Sequence, residues 1–305
     1  LVRPLLLGVV AALAGAGGAG CTSANSTAKP GQIVAVAAEI QYANVLSQIG
    51  GRYVYVSAIL NNPNTDPHSF ESSPSIAQEV SSAQLVVQNG IGYDAWMNTI
   101  EAASPSDSRK EIVAQQVLGL PDSTPNPHLW YDPRTMPLVA KMLAADLAQL
   151  QPDHASYFQA NLRQFDKSMR RVTAAIAAFK AQHPGTKAAT TEPVADYLLE
   201  AMGIDNLTPF RFQADIMNGV DPAPQDVTLE KSFFSAHQVS VFFYNQQVVS
   251  SLTDSIRQAA QQSGIPVVGV YETMPTPGFT YQTWMLAEVH AIEKAVTAKV
   301  STERP

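Results

Sequence analysis

Cysteine is almost absent from this chain. Cys21 is the only one in 305 residues, which excludes an intramolecular disulfide and any zinc cluster built on thiolates. Basic charge is also short. The 19 Lys and Arg against 26 Asp and Glu leave a net charge of -7, and phosphate binding needs clustered cations, so nucleic acid is not an expected partner. Beyond Cys21 no apolar run is long enough to cross a membrane. Several enzyme signatures are missing too: there is no H-E-x-x-H, no G-x-S-x-G, no phosphate-binding glycine loop and no thiol other than Cys21. Histidine is scarce, at six in the whole chain.

What is present begins with an export signal. Arg3, the apolar run "LLLGVVAAL" and the small-residue run "AGAGGAG" lead to Cys21, the layout of a signal peptide over residues 1–21. The apolar run is too short, and too rich in Ala and Gly, for a span of roughly 18–20 residues. Cys21 follows Ala19-Gly20 as the acylated cysteine of a bacterial lipobox does, although Gly18 stands where that pattern has Leu. Residues 22–31 are small and polar, as a flexible tether should be. The expectation is an exported protein at the outer face of the cytoplasmic membrane, lipid-anchored through Cys21.

After the tether, short apolar runs alternate with amphipathic ones. Residues 33–38, 54–56 and 85–87 read as buried strands, with helices over 40–49 and 75–82, the second opened by Ser73-Pro74. The alternation returns later, with strands at 187–191, 239–244 and 266–271 and helices at 193–202 and 249–263. Strands alternating with helices imply parallel sheets. Between the halves, residues 152–182 hold no glycine and no internal proline, and Phe158, Leu162, Phe165, Met169, Val172, Ile176 and Phe179 fall on one helical stripe. Such a helix is a rod of roughly 40 Å. It could pair in a coiled coil; flanked by two α/β halves, it reads as a stiff link. The expected fold is therefore α/β: an N-terminal lobe over 32–151, one long rigid helix over 152–183, and a C-terminal lobe over 184–305. Each lobe has a parallel-rich sheet flanked by helices.

Ligands of open α/β sheets sit beyond the carboxyl ends of the strands. Four ionisable residues arrive there. His68 stands in "DPHSFE" and His128 in "NPHLWY", two Pro-His-x-aromatic frames, while Glu192 and Glu272 directly follow predicted strands. Imidazole and carboxylate together suit Zn²⁺ or Mn²⁺. Asp66, Glu71 and Asp132 could orient the imidazoles or merely cap loops. His154, His183, His237 and His290 read as structural or exposed.

The motifs "NPNTDPHSFESSPS", "NGIGYDAWM", "NPHLWYDPRTMPLVAKMLAADLAQLQPDHASYF", "TEPVADYLLEAMG" and "YETMPTPGFTYQTWMLAEVHAIEKAV" resemble the metal-binding lipoproteins of bacterial ABC importers for zinc and manganese, the class with a single long helix between two lobes. The resemblance runs from about residue 31 to 300. It implies four metal ligands, which fall on His68, His128, Glu192 and Glu272, and a membrane permease as partner of a monomer. Glu192 stands where zinc members often carry His and manganese members often Glu; Glu272 stands where Asp is common; the His-rich loop of many zinc members is absent. Zn²⁺ is favoured as the carried ion, Mn²⁺ is close behind and iron third. A secreted zinc metallohydrolase and a metal-stabilised surface adhesin are the rival readings. Four protein ligands would close the position that a catalytic water needs, so no enzyme is expected.

Overall fold

The computed structural model describes residues 28–64, 67, 70–275 and 277–304. The expected signal segment, Cys21 and most of the tether lie outside them. Among the described residues eight strands form two sheets. The first contains β1 (Ile33–Glu39), β2 (Val54–Leu60), β3 (Leu85–Gln88) and β4 (Lys110–Val113), in the order β2-β1-β3-β4. The second contains β5 (Lys187–Thr190), β6 (Asp205–Asn206), β7 (Val241–Asn245) and β8 (Val267–Val270), in the order β6-β5-β7-β8. Every neighbouring pair is parallel. The expected α/β class and paired parallel sheets are what the structure shows.

Both sheets repeat one topology, in which the chain steps to one side of the first strand and then to the other. The order reverses between β1 and β3, and again between β5 and β7. Crevices at such reversals, outside the carboxyl ends of the strands, are where α/β sheets bind ligands. β1 and β3 are almost wholly apolar and buried, as strands covered on both faces must be.

The sheets are covered by α1 (Ile40–Gly50), α2 (Pro74–Ser82), α3 (Ala95–Ala103), α4 (Ala114–Val117), α5 (Thr135–Leu150), α7 (Asp196–Met202), α8 (Phe210–Met217), α9 (Pro224–Ser235), α10 (Ser251–Gln262) and α11 (Tyr281–Ala298). Between α5 and α7 runs α6 (Ala155–Gln182), 28 residues in one unbroken helix. Its stripe is buried at Phe158, Phe165, Met169, Val172, Ile176 and Phe179, against α1 and α5 toward one end and α7 and α11 toward the other. The apolar face is thus consumed within the chain, and the coiled-coil alternative is not needed to bury it. The stop comes where expected: His183 N–H closes on Phe179 O, and Pro184-Gly185 turn the chain away.

Past α11 the chain returns to seal the open side of β8. Thr302 N–H donates to Val267 O at 2.8 Å, and Gly269 N–H to Thr302 O at 3.0 Å. Gly269 is required here, since a Cβ at that position would run into the Glu303 carbonyl. Covering this edge removes a row of unpaired strand groups.

Two core carboxyls stand apart from the cleft. Glu288 on α11 accepts the Trp284 indole N–H at 2.9 Å, and burial pushes it up to about 8; Glu230 on α9 is likewise pushed up to about 8. Native Glu288 therefore keeps a proton that the unfolded chain releases near its ordinary 4.5. The native state binds more protons across that window, so this contribution to stability is lost as pH rises through about 8. Glu288→Gln should melt close to wild type near pH 5 and above it near pH 8.5, in thermal unfolding followed by circular dichroism. An offset independent of pH would contradict this protonation state.

Candidate metal centre

His128 is held by its own loop. Asn126 Oδ1 accepts the His128 backbone N–H at 3.0 Å and lies 2.8 Å from His128 Nδ1. A backbone N–H can only donate, so this atom is the amide oxygen, and Nδ1 must carry the ring proton. Nε2 is then the atom with a lone pair for a cation, the usual division of labour in a ligating imidazole. The other end of Asn126 reaches the second lobe, where Nδ2 donates to Pro193 O at 2.8 Å. The ring is fully buried, with Trp130 and Tyr93 edge-on at 5.4 and 5.9 Å. The aromatics beside this Pro-His frame do wall off water.

Glu272 is reached from three sides. Its Oε2 lies 3.4 Å from His128 Nε2 and accepts the Tyr93 hydroxyl at 3.0 Å, while its Oε1 accepts Asn245 Nδ2 at 2.7 Å. Gln247 Oε1 accepts the backbone N–H groups of both Glu272 and Thr273 at 2.7 Å. Gln41 Nε2, on α1, donates to Glu272 O at 3.2 Å, so the first lobe also grips this turn. Glu192, buried just past β5, accepts the same Asn245 amide through Oε1 at 3.1 Å. The structure thus brings His128 and Glu272 together directly and joins Glu192 to Glu272 through Asn245. Among the described residues no three His, Cys, Asp or Glu side chains form a group that could hold a metal ion by themselves.

His68, Asp66 and Ser69 lie outside the described residues. Their flanks belong to this cleft: Leu60, Pro67 and Phe70 line a small cavity with Thr273, the neighbour of Glu272, and Phe70 packs on Trp96 with centroids 4.7 Å apart.

A second pair of acids stands behind Tyr93. Asp94 accepts the N–H groups of Asn89 and Gly90 at 2.5 and 2.9 Å, yet burial still pushes it up to about 6. Glu39, at the end of β1, is raised well above the usual carboxylate range by burial and then by the charge of Asp94. Tyr93 is raised too, by burial first and then by Glu272, so its hydroxyl remains a donor to that carboxylate.

The structure decides the alternatives left open above and corrects one boundary. Asp132 orients no imidazole; it pairs with Arg134 at 2.6 Å, and Asn126 does that work. Glu71 is exposed. The second-lobe helix begins at Asp196 rather than 193, because residues 192–195 form the turn that carries Glu192. His290 is exposed beside Glu293 at 3.4 Å. Asn126, Asn245 and Gln247 carry no charge and the Tyr93 hydroxyl stays protonated, so none of them stands out in the sequence beside imidazoles and carboxylates. A polar residue ending the apolar run "VFFYN" was the available signal for Asn245.

The family model for zinc-uptake complex component A, periplasmic (ZnuA), matches residues 35–295. The chain belongs to that family. Manganese-binding lipoprotein MntA of Bacillus subtilis is 23% identical over 159 residues, 50% of this chain and 51% of that protein. The chain thus spans about half the length of that curated relative. The periplasmic zinc-binding protein TroA of Treponema pallidum superposes with a TM-score of 0.73 at 18% identity, covering 88% of this chain and all of that one. A mutant of the laminin-binding adhesin Lmb of Streptococcus agalactiae gives 0.73 at 19%, covering 87% of this chain and 100% of that one. At these identities the ZnuA-family fold is what the structures share. Among the described residues no helix is long and apolar enough to cross a membrane.

The floor of the cleft is tied across the lobes by Tyr131, whose hydroxyl donates to Tyr271 O at 3.0 Å and accepts Tyr271 N–H at 3.2 Å. Tyr131→Phe strands two buried backbone groups and should cost about 1–3 kcal/mol in denaturant unfolding. A cost of only a few tenths would show that the tie carries no load.

Proposed function

We propose that this protein captures a divalent transition metal ion outside the cytoplasm and delivers it to the membrane permease of an ABC importer, Zn²⁺ being favoured and Mn²⁺ the close alternative. The observation that carries the reading is the convergence of His128 Nε2 and the Glu272 carboxylate at 3.4 Å in full burial, with Glu192 held to Glu272 through one amide. An imidazole lone pair and carboxylate oxygens are borderline-to-hard donors that suit these ions. Family membership and relatives named for zinc and manganese binding support the same conclusion.

In this reading His68 and His128 supply imidazole from the first lobe, Glu192 and Glu272 carboxylate from the second, and Cys21 carries the lipid anchor. An ion bound between them would bridge both lobes. The helix α6, packed on both, would keep their relative displacement small, so that loading and release fall to the loops that carry the ligands. The same features oppose a hydrolase: the three described ligand candidates are each no more than 2% exposed, which leaves little room for substrate and attacking water.

Chelator-stripped protein, titrated with Zn²⁺ in competition with Mn²⁺, should take up one exchangeable ion per chain while remaining folded when empty. The combined variant His68→Ala/His128→Ala should lose that binding. Unfolding on metal removal would point instead to a structural ion, as in the adhesin reading. Stoichiometric binding unchanged in the variant would overturn the site.

A further inference from the structure

We propose that Asn89 is a positioning residue of this site: its side-chain amide ties the turn that carries Tyr93 to the loop that carries His128, so that the two first-lobe groups meeting Glu272 Oε2 are held as one unit. The proposal rests on the importer reading above. Asn89 is fully buried just past β3. Its Nδ2 donates to Pro127 O at 2.8 Å and to Gly90 O at 2.9 Å, while its Oδ1 accepts the Tyr42 hydroxyl at 2.7 Å. Two carbonyls can only accept, so the end that meets them must be the amino group, and both of its hydrogens are engaged. The turn on its own side is fixed as well. Asp94 accepts the backbone N–H groups of Asn89 and Gly90, and Gln115 Oε1 accepts that of Ile91 at 2.9 Å. Gly90, Ile91 and Gly92 all sit at positive φ, Ile91 at 54°. A β-branched residue holds that conformation only where its surroundings impose it.

The far end of the tie is the peptide that enters His128. Pro127 has no N–H, so its carbonyl is the backbone group by which that residue can be gripped. The peptide between Pro127 and His128 is a rigid plane. Both of its ends are met by asparagine, with Asn89 on the Pro127 oxygen and Asn126 on the His128 N–H at 3.0 Å. Asn126 is engaged by the second lobe, through Pro193 O and the Tyr197 hydroxyl. Asn89 answers from the first. With the plane fixed, the His128 ring keeps Nε2 at 3.4 Å from Glu272 Oε2, the oxygen that Tyr93 also reaches at 3.0 Å. An imidazole placed before the ion arrives binds it without first having to be ordered, which raises affinity. Asn89 acts on His128 through the backbone.

The test compares wild type with Asn89→Leu combined with Tyr42→Phe, a pair that keeps volume and leaves no buried hydroxyl unmet. Leu129 N–H still donates to Pro127 O at 2.7 Å, so the double variant does not strand that carbonyl. Tyr42→Phe alone keeps the grip on Pro127 O and is the milder second variant. Titration of the chelator-stripped proteins with Zn²⁺ should show Kd rising about 10-fold in the double variant, the lower end of the scale on which groups behind metal ligands act. Tyr42→Phe should fall between. NMR of the histidine rings in the empty protein is the second readout. The His128 signal, assigned by its absence from His128→Gln, should broaden or split in the double variant, while those of His154, His183, His237 and His290 stay as in wild type. Wild type that takes up no zinc would overturn the importer reading and this assignment together. Zinc affinity unchanged in the folded double variant would overturn the assignment alone. So would weaker zinc binding with an unmoved His128 signal, since the loss would then not run through this ring.

Discussion

A carboxylate withdrawn from water must be met by donors or by a cation, and the crevice between the two sheets is built around two carboxylates that share one donor. Burial of an unpaired charge is among the costliest things a fold can contain. Here Asn245, Tyr93 and the Gln247-anchored turn supply neutral partners, so Glu192 and Glu272 are oriented by the protein itself. A site arranged in this way presents its oxygens without first having to gather them. The interlocked positions of β7, the β5 and β8 ends, and the loop of His128 follow from this requirement.

The repeated topology explains why the donors come from so many places in the sequence. Each sheet reverses its order beside its first strand, and residues beyond the strand ends of one sheet reach those of the other, Gln41 and Tyr93 both donating to Glu272. Glu39 and Asn89 stand at the end of one crevice, and Glu192 and Asn245 at the end of the other. The helix α6 lets these crevices face each other as a fixed pair, because its buried stripe is divided between helices of both lobes. Side-chain ties across the cleft, from Asn126 to Pro193 and from Tyr131 to Tyr271, complete the connection.

Much of this was legible in the residues, for identifiable reasons. The stripe from Phe158 to Phe179 announces a helix, since nothing else repeats at that spacing. Carboxylates directly after apolar strands pointed to the placement of Glu192 and Glu272 at the strand ends, and the Pro-His-x-aromatic frame singled out His128, which lies beside Glu272; that they ligate an ion is the proposal. What stayed hidden was neutral or brief. β4 begins with Lys and Glu and has four residues, β6 has two, and neither gives a periodic signal. Asn126 and Asn245 carry no charge, and their role exists only once the fold sets them beside an imidazole and two carboxylates. Asp132 had the right charge beside the right histidine, but Arg134 two residues on captured it.

The central claim is that one ion sits between the lobes with ligands from both. Anomalous diffraction from zinc-loaded crystals, recorded on either side of the zinc edge, addresses it most directly. The account predicts one strong peak per chain within bonding distance of His128 Nε2 and of a carboxylate oxygen from each of Glu192 and Glu272. A peak elsewhere on the chain, or one bonded to residues of a single lobe, would contradict it.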